Sequence, residues 1–284
     1  MENAPERSLS EAAVYVLEQF ERFNVAIPPS SRFKRMYDVV CNPDGTSRGY
    51  IAHGSLDFET AREALRDISQ LEFFFAQIAG DSQQDRYTPI IKRFVGDSVL
   101  PQDDTQNSHG RDAQAEAFAF AVCRNACMNP VFAEPDVVCT VAERGVGIAV
   151  KRIKSCSQLS KRLKEASKQI ETAELPGVIS AEVTIAVNPD NYSIVTNQDE
   201  NQVVRWWIAK LKNMVDNWDS KLWVTIQRRG VLGVFLHEHC PVCSEGQYVL
   251  RTMNYGIKTS YSGMGPLWSE FRTRFTSGLP HLHR

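Results

Sequence analysis

Phe132-Ala133-Glu134-Pro135-Asp136-Val137-Val138-Cys139-Thr140-Val141, and after it Val146-Gly147-Ile148-Ala149-Val150-Lys151-Arg152, form the stretch on which the fold turns. Residues 131–142 and 146–152 are rich in Val, with Phe, Ile and Thr, the composition of strands. Glu143-Arg144-Gly145 between them is a turn signal. A hairpin centred on Arg144 sets Asp136 level with Lys151 on the neighbouring strand, about 5 Å away at Cβ. A carboxylate and an ammonium are then expected together near the open end of the hairpin, with backbone carbonyls such as that of Val150 open to a cation.

Outward from this hairpin the chain alternates helix and strand. Residues 111–128 predict a helix with Ala115, Phe118, Ala119, Val122 and Ala126 on one face. Residues 157–170 predict a basic amphipathic helix whose apolar face is Leu159, Leu163, Ala166 and Ile170. Pro176-Gly177 breaks it, and a strand at 178–187, a helix at 202–218 and a buried strand at 231–236 follow. That order predicts an α/β domain over 111–284, one sheet with helices packed on it. The first hundred residues predict helices instead. One spans 8–23, and a longer one is capped by Ser55 or Asp57, striped by Ala61, Leu65, Ile68, Leu71, Phe75 and Ile78, and ended by Gly80. The stripe reads as core or as a face for a second copy or a partner protein. The polar, turn-rich run to Gly110 places a linker at 101–110.

Composition bounds the rest. The chain has 284 residues, 43% of them hydrophobic and 23% charged, which is a folded protein and not a disordered one. No apolar stretch approaches the ~18 residues of a membrane span, so no membrane partner is expected. The acidic start, Met1 to Glu6, lacks the apolar core of a secretory signal. Seven cysteines, an odd number with several in apolar runs, predict reduced thiols and a cytoplasmic setting. Residues 1–144 carry 14 Lys and Arg against 22 Asp and Glu, and residues 145–284 carry 18 against 12, so a basic face belongs to the second half.

An aspartate beside a lysine suits metal-assisted phosphodiester hydrolysis. The carboxylate holds Mg²⁺ (or Mn²⁺), and the lysine orients water or stabilises developing negative charge. One carboxylate holds Mg²⁺ weakly, so a second is expected. Glu116 on the preceding helix is the candidate, with Glu134 behind it. The alternative is a structural Asp–Lys pair at a sheet edge.

The run Arg111…Gln114…Glu116, then Glu134-Pro135-Asp136, then Ile148-Ala149-Val150-Lys151-Arg152, then Ala166…Gln169 resembles the PD-(D/E)xK nuclease superfamily, in its bacterial uncharacterised and defence-associated branches. The resemblance covers about 110–190. It implies a restriction-endonuclease-like αβββαβ core with a mixed sheet, and a Mg²⁺-dependent nuclease acting on DNA in phage defence or DNA processing. Asp136 matches the metal-binding aspartate and Lys151 the signature lysine. Glu116 matches the acid of the first core helix, and Gln169 the glutamine of the helix after the lysine. Arg111 and Gln114 match more weakly, at the entry to the cleft. One position departs: the acid two residues before the lysine is Ala149. Either Glu116 or Glu134 supplies the missing carboxylate, or metal binding is lost and the fold survives as a module that binds nucleic acid or a partner protein.

Between 151 and 168 stand Lys151, Arg152, Lys154, Lys161, Arg162, Lys164 and Lys168 against Glu165 alone. With Arg111, Arg152, Lys154, Lys161 and Lys164 are the expected phosphate-backbone contacts, unless this is only a solvated helix face. Leu236-His237-Glu238-His239-Cys240-Pro241-Val242-Cys243 reads as a polar hairpin tip or as a structural Zn²⁺ site of His237, His239, Cys240 and Cys243. Trp206-Trp207, Trp218 and Trp223 read as core or interface anchors before base-stacking platforms.

Overall fold

A computed structural model describes residues 7–49, 55–100, 109–189, 194–195, 200–216, 218, 220–244, 247–259 and 264–280. The N-terminal elements are α1 (Leu9–Arg22), α2 (Arg32–Val40), α3 (Leu56–Ile78) and α4 (Thr88–Arg93). Their starts are written in the sequence. Ser8 and Glu11 close a capping box on α1, Ser31 and Ser55 cap α2 and α3, and a proline sits in the first turn of α4. There follow α5 (His109–Asn125), β1 (Val131–Ala133), β2 (Asp136–Val141), β3 (Arg144–Arg152), α6 (Leu159–Thr172), β4 (Gly177–Glu182) and α7 (Thr184–Val187). The chain continues through β5 (Ile194–Val195), α8 (Glu200–Asp216), α9 (Ser220–Arg228), β6 (Val231–Ser244), β7 (Gln247–Lys258) and α10 (Gly265–Ser277).

The architecture is α/β with a mixed sheet. Its order is β1-β2-β3-β4-β6-β5, with β7 also paired to β6. The β1–β2, β2–β3 and β6–β7 pairs are antiparallel, and β3–β4, β4–β6 and β5–β6 are parallel. Strand β4 is buried at every residue, as a parallel strand covered on both faces must be. Alternation on β3 sends Val146, Ile148 and Val150 into one hydrophobic cluster and Ala149 into another. The first cluster is built with α1 to α5 and α10, the second with α6, α8 and α9.

The N-terminal helices and the sheet therefore share one core. The stripe Leu65, Ile68, Leu71, Phe75 and Ile78 is buried within the chain, so it is spent on internal packing and offers no free face. Of the linker expected at 101–110, residues 101–108 lie outside the described residues, and His109 and Gly110 already belong to α5.

Four local expectations are corrected. Residues 131–142 are two strands joined through Glu134-Pro135, which proline allows because it cannot donate within a ladder. The β2–β3 turn is Ala142-Glu143, both at positive φ, so Val141 pairs with Arg144 and the register differs from a hairpin centred on Arg144. The strand expected at 178–187 stops at Glu182 and gives way to α7. The strand expected at 231–236 runs on to Ser244, through the residues read as a hairpin tip.

Candidate active site

Asp136 opens β2 and Lys151 is the penultimate residue of β3. Carried one step past Val137–Ile148, the register sets Asp136 level with Ala149, and Lys151 lies on the diagonal of the same face. The two side chains still meet, with Lys151 Nζ 3.5 Å from Asp136 Oδ2. The same Oδ2 accepts the Val150 N–H at 2.7 Å. Lys151 Nζ also donates to the Val150 carbonyl at 2.8 Å, so that carbonyl is engaged by the lysine instead of standing open. Close packing sets this corner. A Cβ on Gly147 would come within 2.8 Å of Pro135 Cδ, so glycine lets the β1–β2 turn lie against β3.

Asp136 lines a cleft of about 470 Å³ with Glu116, Glu134, Arg86, Arg93, Pro89, Ile90, Phe132, Ala133 and Pro135. Glu116 is held by Arg93 through two bonds of 2.9 and 3.0 Å, and Glu134 is exposed. Gln169 Nε2 reaches the Pro135 carbonyl at 3.5 Å, while its Oε1 is buried without a hydrogen-bond partner. Burial pushes the Asp136 carboxyl up to about 6, against Lys151 and the Val150 N–H, and Glu116 raises it further. The site therefore carries acid that its own cations do not fully compensate.

That shift predicts a stability effect. Asp136 favours its protonated form when folded. Its contribution is complete below 3.8 and is lost as pH rises through about 6. Asp136→Asn, which keeps an acceptor for the Val150 N–H, is expected to stabilise the metal-free protein at pH 8 by about 2 kcal/mol. Chemical denaturation of both proteins at pH 8 in a chelator measures it, and an equal or less stable variant contradicts it.

The other expected contacts divide. Lys161 and Lys164 are exposed on α6, and Lys154 is half-buried before it. Arg111 and Arg152 are buried and cannot touch a nucleic acid as expected. Arg111 donates to the Ser98 and Val99 carbonyls, and Arg152 pairs with Glu182 at 3.2 Å and Asp112 at 3.7 Å. A basic residue that reads as surface is thus spent on acids and carbonyls distant from it along the chain.

The zinc set is not brought together. His237 and His239 lie against Phe118 on one face of β6, and Cys240 belongs to the cluster on the other. Pleating separates Cys240 from the two rings once the segment is a strand, and Cys243, four residues past His239, lies roughly 13 Å further along it. Among the described residues no three His, Cys, Asp or Glu side chains are grouped to hold a metal ion, and no cysteine is joined to another in a disulfide. Trp207 is buried, with its indole N–H donated to Glu238, whereas Trp206 is exposed; Trp218 and Trp223 pack at 5.0 Å.

The sequence reading missed Arg86 and Arg93, which border the cleft, and the buried charges Arg32, Glu63, Arg66 and Asp67. Nothing in the sequence flags Arg93. The charges on α3 alternate with its aromatic stripe and read there as an ordinary polar face. No helix of the described residues is long and apolar enough to cross a membrane. Comparison with protein-family models and with curated proteins finds no match for this chain.

Proposed function

We propose that the chain is a divalent-cation-dependent nuclease of the restriction-endonuclease-like fold, cutting DNA at the Asp136–Lys151 corner. The observation that carries the reading is the meeting of this acid and this amine on adjacent strands, with Asp136 itself lining a cleft that Glu116 and Glu134 also line. The element order α5, β1, β2, β3, α6, β4 supports it, since it follows the αβββαβ core that the motif resemblance implies.

The residues fit Mg²⁺ (or Mn²⁺) better than a tightly caged ion. Mg²⁺ keeps several waters and takes one or two carboxylates plus substrate phosphate. Asp136 would hold it, with Glu116 as the second acid and Glu134 at the exposed rim. The Asp136 carboxylate, which burial and then the neighbouring Glu116 disfavour, is the charge that a divalent cation would neutralise. When bound, the ion would polarise the scissile phosphate and acidify a water. Lys151 places a positive charge next to Asp136, where it stabilises negative charge developing on phosphate. Gln169, through the Pro135 carbonyl, holds the turn that carries Asp136. The exposed Lys161 and Lys164 of α6 supply sequence-blind backbone contact. DNA processing or phage defence is the setting that the fold resemblance favours.

A second reading has its own support. Ala149 stands where the signature acid belongs and is fully buried in the cluster with α6, which suits an inactive module that binds nucleic acid. Incubation with plasmid and linear DNA in Mg²⁺ or Mn²⁺ separates the two. Under the nuclease reading, Asp136→Ala and Lys151→Ala each lower cleavage at least about a hundredfold. Salt-sensitive DNA retention with no cleavage by the parent protein supports the binder, and cleavage indifferent to both substitutions overturns the site.

A further inference from the structure

We propose that Arg93 is a latch on this site: it holds Glu116 in the resting protein and releases it to the cation when a nucleic-acid phosphate takes its place. The inference rests on the metal-dependent reading above.

Arg93 is the last residue of α4 and Glu116 lies on α5. The guanidinium nitrogens meet one carboxylate oxygen each, at 2.9 and 3.0 Å, so both oxygens of Glu116 are engaged and its charge is neutralised. Held in this way, the second acid of the site is a poor ligand for a cation. Arg93 is itself 44% exposed and borders the cleft that contains Asp136, so a phosphate entering the cleft meets it. Phosphate presents oxygens to a guanidinium in the same fork geometry as a carboxylate, which allows a one-for-one exchange. The exchange is close to even because one charge-assisted fork on Arg93 replaces another, at the 44% exposed guanidinium rather than at the less exposed Glu116. Arg86, also on the cleft, is engaged by Asp81 and the Tyr87 hydroxyl, so it does not take over Glu116.

Once Arg93 leaves, the Glu116 charge is uncompensated in the cleft that Asp136 lines, and the two acids together favour a divalent ion. Cation and nucleic acid then help each other to bind, by equal factors in both directions. Such coupling keeps the resting protein poorly loaded with metal until its substrate arrives.

The test is Mn²⁺ binding by the full chain, followed by the electron paramagnetic resonance of free Mn²⁺, with and without a short DNA duplex. The parent is expected to bind Mn²⁺ roughly tenfold tighter with the duplex. Arg93→Gln is expected to show roughly that affinity without it, to gain little on its addition, and to bind the duplex more weakly. Adding Glu116→Gln should abolish the gain. Arg93→Lys, which keeps the charge without the two-bond fork, should fall between, and guards against misfolding of the glutamine variant. Unchanged Mn²⁺ affinity in Arg93→Gln and Arg93→Lys, beside Asp136-dependent binding by the parent, overturns the latch alone. Absence of Asp136-dependent Mn²⁺ binding in every protein, with duplex or without, overturns the metal-dependent reading and the latch with it.

Discussion

Replacing His237 and His239 together by glutamine is expected to gain the variant about 5 kcal/mol on the parent as pH falls from 7 to 4.5, whatever the substitution costs at pH 7. Both rings are buried on β6 against Phe118, and His239 Nδ1 shares a 2.9 Å hydrogen bond with Thr252. Burial lowers His237 to about 4 and His239 to about 3, with Glu182 opposing in both cases. A histidine lowered on folding stabilises the native state above its unfolded value of 6.5 and loses that contribution as pH falls, because the unfolded chain takes up the proton first. Glutamine does not titrate and escapes the loss. Glu238, which burial raises to about 7, and Asp136 titrate with the opposite sign. The parent's own pH curve is therefore a sum, and only the difference between variant and parent isolates the two rings. Denaturant unfolding of both proteins at pH 7, 5.5 and 4.5 measures that difference, and a constant difference contradicts it.

The second large effect lies in the buried charge between the N-terminal helices and the sheet. Arg32 is fully buried and bonded to Asp67, the Phe94 carbonyl and Gln114. Burial pushes the Asp67 carboxyl up, and Arg32, then Arg111, more than reverse this. Arg32→Ala strips α3 of that partner and leaves a buried carboxylate under-compensated, at an expected cost of about 3–5 kcal/mol. Adding Asp67→Asn should recover part of the loss, so that the double variant is more stable than Arg32→Ala alone. A loss below about 1 kcal/mol, or none recovered, would show that α2 and α3 are not fixed through this pair.

How much was legible follows from the range of each interaction. The β2–β3 hairpin and its Asp–Lys corner were readable because strand composition and the spacing of two residues are local. Even so, the register was misplaced, since Ala142 and Glu143 occupy a positive-φ turn that glycine or asparagine usually announces. The diagonal reach of Lys151 across one face forgave that error. The strand β6 was cut short because His237-Glu238-His239 reads as surface. Trp207, Thr252 and Phe118, from distant parts of the chain, make those side chains tolerable inside. Arg111 and Arg152 failed for the same reason, since their partners lie at 67, 98, 99, 112 and 182. The α7 segment was read as strand because a short apolar run has no period of its own.

If Asp136 and Lys151 form one phosphodiesterase corner dependent on a divalent ion, Mg²⁺ sets the rate of cleavage through Asp136. The most direct measurement is the single-turnover rate of plasmid cleavage as Mg²⁺ is titrated, for the parent and Asp136→Asn, with DNA retention followed in parallel. The expected result is a rate that saturates with Mg²⁺ in the parent and falls at least about a hundredfold in Asp136→Asn while the variant still retains DNA. A Mg²⁺-dependent rate equal in the two proteins, or no cleavage by the parent at any Mg²⁺ concentration, contradicts it.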